Sequence, residues 1–547
     1  MSLVITHGYL LTGTGSNLYV NNLVRELCKV GYEVNLLCQD YDPMAIDFVN
    51  EYYEFNADNS EYIKKGEKES PFPGKVRVFK PNLNGFLPVY VYDHYDGFEV
   101  KEFPDCTDVE VDRYVMQNKN ALELVVVDFN VKVVNTNHLV MFPHIATLVK
   151  ESTGVDHLIT VHGSALNFTV KKDKRFEEFA KSSLLKADEI VVDSLHADKE
   201  LKEFLDEVDL SQLKQKVEII PAGVDVTSFF LPTASASEMI QEFQDKIFLK
   251  VPTSKGRTTE QTQGILNNQG TVQEVIDSVE ILRASYDYRY VDKDVLAKVE
   301  TLKDGSHRVM FVGKYLWTKG LHLILFAIPK VLTKYPKAKF VFVGFGPYRE
   351  PCEVIVNALA NNSLDQLESA LESLNPLFKG EEGNVKLLLE ILRQEKETLG
   401  NIIDDLGFDI RENIVFTGIA EHKELVKLIP AMDALIAPSV FPEAFGMVAI
   451  EAMACGVYPV LTYQSAFKEI SDEVIEAVKD YSFKINKVFL DKDAADNVAQ
   501  NLIEYFNYKA TLSPKEFTGL QNVLRAVVMK NYSWEGICQK YLKAYKV

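Results

Sequence analysis

Short apolar runs alternate along the chain with longer segments in which apolar residues recur every three or four positions. In the first half, the runs with the length and continuity of a buried strand are residues 2–8, 33–39, 131–136, 157–161 and 189–192. Segments with helical spacing stand between them at residues 17–30, 113–127 and 139–150. Strands and helices that alternate in this way predict a parallel sheet built from βαβ units.

The second half repeats this alternation. Its strand-like runs are residues 308–312, 340–343, 413–417, 432–437 and 457–461. Helical spacing occurs at residues 321–334, after residue 447 and again from residue 494 onward. A chain of 547 residues is too long for one hydrophobic core. We therefore expect an α/β protein with two parallel-sheet domains.

Two segments interrupt this pattern. Residues 230–305 begin rich in Ser and Ala, continue with Gly, Thr, Gln and Asn, and end in helical spacing. They fit a flexible insertion or a small helical subdomain, and an oligomer contact is the sharper alternative. Residues 357–399 carry leucines at helical spacing, namely Leu364, Leu367, Leu371 and Leu374. This spacing predicts a hairpin of two helices, for which dimerisation is a reasonable use.

Residues 437–463, APSVFPEAFGMVAIEAMACGVYPVLTY, form a strand, loop, helix and strand with candidate chemistry at the loop. Glu443 precedes a helix that begins near Met447, and Glu451 lies eight residues after Glu443. Ligands of open α/β sheets bind at the carboxyl ends of the strands, where helix N-termini favour anions. Two carboxylates about two helical turns apart fit the hydroxyls of one elongated ligand, with a phosphate near Gly446 and Met447. Alternatively, Glu443 only caps the helix and Glu451 is a solvated surface charge.

Positive charge stands at the end of another predicted strand. Lys314 follows the strand of residues 308–312, and Lys319 comes shortly before the next helix. Two lysines at the carboxyl edge of a parallel sheet can neutralise a diphosphate. The sequence therefore predicts cations and carboxylates at strand ends of the same domain.

The first half has its own candidates at strand ends. The loop LTGTGS brings Gly15 to the start of a helix, although Leu18 rules out a G-x-G-x-x-G dinucleotide fingerprint. His162 stands directly after a predicted strand and beside a glycine, where a ligand contact explains it better than packing does. His138 is interpreted instead as a satisfied or exposed histidine.

Glu443, Phe445, Gly446 and Glu451 resemble the E-x-F-G-x-x-x-x-E signature of retaining GT-B glycosyltransferases, in particular the large family 4 of nucleotide-sugar-dependent enzymes. The resemblance implies two Rossmann-like domains that face a central cleft. It also implies that Glu443 contacts the transferred sugar and that Glu451 contacts the ribose of the nucleotide.

The resemblance covers the other candidates as well, with departures. It implies that Gly15 faces the substrates, although Thr14 replaces a second glycine, and that His162 lies near the donor sugar. It implies a diphosphate contact for Lys319 and for Lys314, which replaces the usual arginine and loses its bidentate fork. The further residues implied in donor binding are Gly346, Phe445, Gly446 and Met447.

The family's order also implies domain boundaries. They are residues 1–229 on the acceptor side, a linker or insertion at 230–305, a nucleotide-sugar domain at 306–520 with a helical insertion at about 357–399, and a C-terminal helix in 521–547 that returns to the first domain. In the nucleotide-sugar domain, the loop with Gly346 resembles the family's G-x-G-P element. The backbone near Gly418 is expected to meet the nucleotide base.

Composition narrows the partners. The chain has 59 Lys and Arg against 79 Asp and Glu, a formal charge of -20, which argues against nucleic acid or an anionic membrane as the main partner. Six cysteines without C-x-x-C spacing indicate buried free thiols in a reducing cytoplasm, and no apolar run is long enough to span a membrane. The basic run with Lys171, Lys174 and Arg175 is a candidate for holding an anionic acceptor. The acidic balance favours a soluble acceptor over a lipid.

The principal hypothesis is a retaining glycosyltransferase that moves a sugar from a nucleotide-diphosphate-sugar to an acceptor hydroxyl. By resemblance, the departing diphosphate takes the hydroxyl proton on the same face, so no dedicated base, metal ion or cofactor is expected. His162, Lys319 and Glu443 are the expected catalytic residues. The acidic positions Asp292 and Asp294, like residues 491–493, are interpreted as surface charges. The alternatives are an epimerase or a phosphorylase on the same fold, and a catalytically weak nucleotide-sugar-binding scaffold subunit.

Overall fold

The computed structural model describes residues 2–13, 15–91, 94–213, 216–305, 307–373, 382–483, 485 and 487–546. The chain divides into two compact units. The first comprises Met1–Asp225 and Asn531–Val547, and the second comprises Val226–Lys530. Each unit contains its own parallel sheet, so the prediction of two parallel-sheet α/β domains is confirmed.

The strands of the first unit are β1 (Ser2–Thr6), β2 (Glu33–Leu37), β3 (Glu51–Phe55), β4 (Tyr62–Glu67), β5 (Lys75–Lys80), β6 (Phe86–Val89), β7 (Glu99–Glu102), β8 (Val133–Asn137), β9 (Asp156–Val161), β10 (Glu189–Val192) and β11 (Val217–Ile219). The main sheet has the order β11-β10-β9-β8-β1-β2-β5-β3-β4. Its neighbours pair in parallel except for the antiparallel edge pair of β3 and β4. The strands β6 and β7 form a separate pair.

The helices of the first unit are α1 (Gly15–Lys29), α2 (Asp108–Asp128), α3 (Phe142–Thr153), α4 (Gly163–Phe168), α5 (Lys174–Lys186), α6 (Leu195–Phe204), α7 (Glu207–Leu213) and, from the end of the chain, α21 (Trp534–Ala544). The last helix is part of the core of this unit. The hydroxyl of Tyr541 lies 2.5 Å from that of Tyr19 on α1 and 3.1 Å from that of Thr160 in β9. These contacts hold the C-terminal helix against the strands that end near His162.

The second unit is built on a sheet of β12 (Arg308–Lys314), β13 (Lys339–Phe345), β14 (Ile414–Phe416), β15 (Ala434–Ala437) and β16 (Tyr458–Leu461). Its order is β14-β13-β12-β15-β16, and all neighbours pair in parallel. The strands β14, β15 and β16 are buried along their whole length. Burial on both faces explains why the sequence shows continuous apolar runs here rather than alternation.

The helices that surround this sheet are α8 (Ala236–Phe248), α9 (Thr259–Leu266), α10 (Val272–Arg283), α11 (Val295–Glu300), α12 (Leu321–Leu332), α13 (Arg349–Ala360), α14 (Leu364–Glu372), α15 (Glu382–Leu406), α16 (His422–Leu428), α17 (Met447–Ala454), α18 (Ser465–Ala477), α19 (Ala494–Thr511) and α20 (Pro514–Asn531). The helix α12 is buried along almost all of its length. Such a helix reads as apolar on every side in the sequence, because it has little contact with water.

Residues 230–305 form a small helical subdomain, which is one of the alternatives that the sequence left open. The subdomain consists of α8 to α11. Two helices of its polar centre begin with capping boxes, in which Thr258 caps α9 and Thr271 caps α10. The apolar spacing of α10 buries Val275 and Val279. An oligomer contact through this subdomain stays a prediction.

Buried charges join the subdomain to the rest of the second unit. Asp292 is fully buried, and its carboxylate accepts hydrogen bonds from both terminal nitrogens of Arg349 at 2.6 and 2.7 Å. Burial alone would raise the pKa of Asp292, but Arg349 and Lys298 outweigh it and lower the pKa to about 2. The interpretation of Asp292 as a surface charge is therefore wrong, whereas residues 491–493 are exposed as predicted.

A second buried arginine lies beside this pair. Arg257, in the polar centre of the subdomain, is fully buried. It donates hydrogen bonds to Glu350 at 3.1 Å and to Glu353 at 2.7 Å, both on α13. A polar segment of the sequence thus forms part of a buried interface, because its charge is matched by charge from α13.

The second insertion contributes a pair of packed helices, α14 and α15. Leu364, Leu367 and Leu371 are buried, as their spacing predicted, and Leu374 lies outside the described residues. The helix α15 continues past the predicted end of the insertion to Leu406. Dimerisation through this helix pair stays a prediction.

Two properties predicted from composition have counterparts in the structure. All six cysteines are free and buried. In the part of the chain that the structure describes, every helix is too short or too polar to cross a bilayer.

The substitution Arg257→Ala should lower the free energy of unfolding of the second unit by about 3–5 kcal/mol, because it removes the buried cation that Glu350 and Glu353 share. Urea denaturation followed by circular dichroism measures this change. Lys479→Ala is the control, since the pair of Lys479 with Glu476 is exposed and such pairs contribute little. Equal losses for the two variants would contradict a stabilising role for the buried cluster.

Candidate functional site

The loops at the carboxyl ends of two central strands of the second unit are held in close contact. Thr318, in the loop after β12, accepts a backbone hydrogen bond at 2.9 Å from Val440, in the loop after the neighbouring β15. Gly320 has a φ of +69°, and a Cβ there would lie 1.9 Å from the carbonyl oxygen of Pro438. Glycine is required at this position because any side chain would separate the loops. The loops that carry two of the predicted site residues are thereby joined.

Lys319 and Glu443 meet at this junction. Lys319 Nζ lies 2.6 Å from Glu443 Oε1, and the Ser439 hydroxyl donates a hydrogen bond to the same oxygen at 2.5 Å. The side chain of Glu443 is 18% exposed and that of Lys319 is 33% exposed, so both remain open to solvent. The sequence predicted both residues for one site, and the structure brings them into direct contact.

Glu443 does not cap the helix that follows it, so this alternative is wrong. The N-cap of α17 is Gly446, and no side chain caps this helix. Glu443 lies in the preceding loop, where its backbone N–H donates a hydrogen bond to the Ser465 hydroxyl at 2.9 Å. Ser465 begins α18. The backbone at Glu443 is therefore positioned by the next helix along the chain, and its carboxylate contacts Lys319.

Glu451 is buried at 5% exposure, so its interpretation as a solvated charge is also wrong. Its Oε1 accepts a hydrogen bond at 2.7 Å from Nε2 of His422, the first residue of α16. Burial lowers the pKa of His422, but the charge of Glu451 and the hydrogen bond to it outweigh burial, so the pKa is raised overall. Glu451 thus has a partner that gains a proton readily.

Lys314 and Phe345 stand opposite each other as the last residues of the neighbouring strands β12 and β13. Lys314 Nζ lies 5.8 Å from the centre of the Phe345 ring, a cation–π distance. Gly346 follows, and a Cβ there would lie 2.5 Å from the carbonyl oxygen of Tyr315. Two predicted donor-site positions of this unit, Lys314 and Gly346, therefore share the carboxyl edge of one sheet with Lys319.

In the first unit, His162 follows directly after β9, as the sequence predicted. It is buried, and its Nε2 lies 3.0 Å from Asn137 Oδ1. The amide nitrogen of Asn137 donates a hydrogen bond to the Thr6 carbonyl at 3.1 Å, so the amide oxygen is the group that accepts from the histidine. His162 therefore carries its hydrogen on Nε2 and presents Nδ1 as an acceptor. Burial, with a smaller contribution from His7, lowers the pKa of His162 to about 3, so the ring is neutral at physiological pH.

His162 is one of three histidines that each follow directly after a neighbouring strand. His7 follows β1 and His138 follows β8, and the ring centres are 5.9 Å apart from His7 to His138 and 4.9 Å from His138 to His162. His138 is buried, and among the described residues neither of its ring nitrogens has a hydrogen-bond partner. The interpretation of His138 as satisfied or exposed is therefore wrong. The criterion that singled out His162, a histidine directly after a predicted strand and beside a glycine, does not find the other two, because His7 lies inside the predicted strand 2–8 and His138 has no glycine beside it.

The loop before α1 lies against this row of histidines. Gly15 is the first residue of α1, two positions before the predicted start. Asn17 Oδ1 lies 2.8 Å from His7 Nε2, and the Asn17 amide nitrogen donates a hydrogen bond to the Thr12 carbonyl at 2.5 Å. One asparagine thus ties the glycine loop to the histidine row.

The predicted acceptor-side basic residues differ in how they are engaged. Lys171 and Lys174 are exposed. Arg175 is held by Asp173 and Asp108, with nitrogen to oxygen distances of 2.7 Å in both pairs. Its guanidinium therefore joins α5 to the start of α2 and is less available to an anionic acceptor than the two lysines are.

The His422→Gln substitution should destabilise the second unit most at low pH. Because the pKa of His422 is raised above its unfolded value of about 6.5, its pairing with Glu451 contributes fully below that pH and is lost as pH rises through the raised pKa. Denaturant unfolding of wild type and variant at pH 6 and pH 9 should therefore give a difference that shrinks with pH. His307→Gln is the control of opposite sign, because burial lowers the pKa of His307. A His422 difference that is constant or grows with pH would contradict the assignment.

Comparison with known proteins identifies part of the second unit. Residues 380–507 match the family model for glycosyl transferases group 1. An uncharacterized glycosyltransferase of Methanocaldococcus jannaschii is 24% identical over 247 residues, which are 45% of this chain and 46% of that protein. The phosphatidylinositol N-acetylglucosaminyltransferase gpi3 subunit of Schizosaccharomyces pombe is 21% identical over 237 residues, 43% of this chain and 37% of that protein. The chain thus spans less than half the length of these curated relatives.

Solved structures resemble the whole chain. HepE of Anabaena, in complex with UDP and glucose, aligns with 100% of this chain and 99% of its own at a TM-score of 0.50 and 12% identity. A glycosyltransferase of Rickettsia africae aligns with 100% of this chain and 97% of its own at a TM-score of 0.52 and 13% identity. The trehalose-6-phosphate synthase OtsA aligns at a TM-score of 0.52 and 12% identity, covering 100% of this chain and 99% of its own. This chain therefore shares the GT-B fold of these solved structures, and its residues 380–507 match glycosyl transferases group 1.

Proposed function

We propose that the protein transfers a sugar, with retention of anomeric configuration, from a nucleotide-diphosphate-sugar to an acceptor hydroxyl. The observation that carries this proposal is the contact between Lys319 and Glu443 at adjoining strand ends of the second unit. A cation for the diphosphate and a carboxylate for the sugar hydroxyls stand side by side there. The match to glycosyl transferases group 1 includes Glu443 and Glu451, and HepE was solved with UDP and glucose.

Glu443 is suited to orient the donor sugar. Its side-chain hydrogen bonds to Lys319 and Ser439 both fall on Oε1. Within the described residues, the other oxygen, Oε2, has no protein partner and can accept from a sugar hydroxyl. Phe445, Gly446 and Met447 follow in the same loop and helix start, and we assign them to donor binding with Glu443.

The lysines supply the charge that the leaving group requires. As the bond from the sugar to the diphosphate breaks, negative charge grows on the diphosphate, and preorganised cations stabilise that charge more than the ground state. We assign this role to Lys319 and Lys314, with Gly346 giving the ligand close access to the backbone. The proposed reaction needs neither a metal ion nor a cofactor. The departing diphosphate takes the proton of the acceptor hydroxyl.

Glu451 and His422 form the proposed ribose contact. The hydrogen bond from His422 occupies Oε1 of Glu451, which holds the buried carboxylate in one orientation. The remaining capacity of this carboxylate suits the vicinal hydroxyls of a ribose. Orientation by a second residue matters because a carboxylate with one fixed oxygen loses less freedom when it binds a ligand.

We assign His162 and Gly15 of the first unit to the same reaction. The neutral ring of His162 offers Nδ1 as an acceptor for a sugar hydroxyl, so it orients by hydrogen bonding and not by charge. Lys171 and Lys174 are exposed cations that suit an anionic, soluble acceptor. The acidic balance of the chain supports a reaction in the cytoplasm rather than on an anionic membrane surface.

The donor base can be found by thermal-shift screening with UDP-, GDP- and ADP-sugars. A ligand at a hundred times its dissociation constant should stabilise the protein by about 2.7 kcal/mol, so one donor class should raise the melting temperature clearly. The preferred donor is then incubated with and without candidate acceptors. Release of nucleoside diphosphate with a new α- or β-linked product, matched to the donor by NMR, supports a retaining transferase. An altered sugar without free nucleotide identifies an epimerase instead, and binding without turnover identifies a scaffold.

Glu443→Gln and Lys319→Ala should each lower kcat by about 10²–10³-fold, the cost of removing one preorganised electrostatic group. Steady-state kinetics with the preferred donor measures this loss. Glu476→Gln is the matched control, because Glu476 is an exposed carboxylate of the same unit paired with Lys479. Unchanged turnover in Glu443→Gln, with the fold intact by circular dichroism, would remove Glu443 from the mechanism.

A further inference from the structure

The helical subdomain of residues 230–305 sends one segment across the carboxyl edge of the second sheet. Val291 forms an antiparallel bridge with Gly418, which follows β14. The N–H of Asp292 donates a hydrogen bond to the Thr417 carbonyl at 2.9 Å. Gly418 has a φ of +76°, and a Cβ there would lie 2.7 Å from the Tyr290 carbonyl oxygen. The segment is therefore packed against the strand end as closely as the backbone allows.

The contact between Val291 and Gly418 changes the place where the nucleotide base is expected to bind. The sequence predicted that backbone near Gly418 meets the base. Val291 now lies against Gly418, and the carbonyl of Gly418 accepts a hydrogen bond from the N–H of Gly344 at 2.9 Å. The surface that a ligand meets at this strand end is therefore made in part by the subdomain.

The same segment carries an aromatic ring to that edge. The ring of Tyr288 lies parallel to that of Phe345, with ring centres 6.2 Å apart and planes 10° apart. Tyr288 is 43% exposed, so a large part of the ring remains open to solvent. On the side of β12, Lys314 Nζ lies 5.8 Å from the centre of the Phe345 ring. A cation and two rings thus follow one another along the sheet edge.

The segment is held rigidly enough to act as a binding surface. Asp292 accepts two hydrogen bonds from Arg349, the first residue of α13. It also forms an ion pair with Lys298 at 2.7 Å. Arg349 lies three residues after Gly346, so the clamp joins the subdomain to the predicted donor loop itself. A ring that is preorganised in this way loses little freedom when a ligand stacks on it.

We propose that Tyr288 forms the surface on which the nucleobase of the donor stacks, so that the inserted subdomain and not the common fold sets part of the base preference. The inference rests on the proposed function, because it takes the ligand to be a nucleoside diphosphate whose phosphates lie by Lys314 and Lys319. Stacking on an aromatic side chain contributes about 1–3 kcal/mol per base. Tyr288 would therefore act on affinity and base preference and leave the phosphate contacts unchanged.

The test is isothermal titration calorimetry of the full chain with UDP, GDP, ADP and inorganic pyrophosphate. Tyr288→Ala should weaken binding of the preferred nucleoside diphosphate about 5- to 150-fold, the fold-change that corresponds to the loss of one stacked base. The affinity for pyrophosphate should stay within about twofold, since pyrophosphate has no base, and Tyr288→Phe should retain most nucleotide affinity. Ile281→Ala is the matched control, because Ile281 is an exposed side chain of the same subdomain at 80% exposure.

The outcomes separate this inference from the proposed function. If wild type binds a nucleoside diphosphate and Tyr288→Ala binds it equally well, the inference is overturned and the proposed function stands. If Tyr288→Ala loses nucleotide and pyrophosphate affinity alike, the residue shapes the fold of the site and the stacking role is overturned. If no nucleoside diphosphate binds to wild type, both the proposed function and the inference fall.

Discussion

The candidate site depends on how closely two loops of the second unit approach each other. Gly320 lets the loop after β12 pack directly on the carbonyl of Pro438, after β15. Lys319 and Glu443 are far apart in the chain, and they form an ion pair because these two loops touch. A side chain at position 320 would separate the loops. The attraction between Lys319 and Glu443 falls with distance, so a separation of a few ångströms would break their ion pair. Backbone contact is thus the condition for the electrostatics.

Buried ion pairs hold the inserted subdomain of the second unit against α13. The carboxylates of Asp292, Glu350 and Glu353 are compensated by Arg257 and Arg349, and all of them lie between the inserted subdomain and α13. Buried pairs of this kind contribute little net stability compared with apolar packing, but removing one partner is costly. They join the subdomain to α13 in the arrangement that the structure shows. That arrangement brings Tyr288 and Val291 to the edge where Lys314 and Phe345 end their strands.

The two units use histidine in opposite ways. Burial keeps His162 neutral, so it can only donate or accept hydrogen bonds. His422 sits beside Glu451, and that neighbour favours the protonated ring despite burial. The same side chain is therefore an uncharged hydrogen-bonding group in one unit and a partner for a carboxylate in the other. In each case the neighbour, and not the residue type, decides the charge.

The sequence by itself determined the two parallel sheets, the order of strands and helices along the chain, and the positions of Lys314, Lys319 and His162 at or just after strand ends and of Glu443 and Glu451 in the loop and helix that follow β15. These follow from hydrophobic periodicity and from the rule that ligands meet parallel sheets at their carboxyl edges, both of which are local or pairwise properties of the chain.

Only the tertiary structure decided which of these residues have partners, and from where. His422 lies in the polar segment AEHKEL, which carries no periodic signal, and it joins the candidate site because α16 places it beside Glu451. Asp292 reads as a surface charge and Arg257 lies in a polar insertion, yet both are buried because matching charges on α13 face them. His138 reads as an ordinary histidine until the packing of β1, β8 and β9 brings three rings together. Contacts between segments far apart in sequence depend on packing, and no local pattern encodes them.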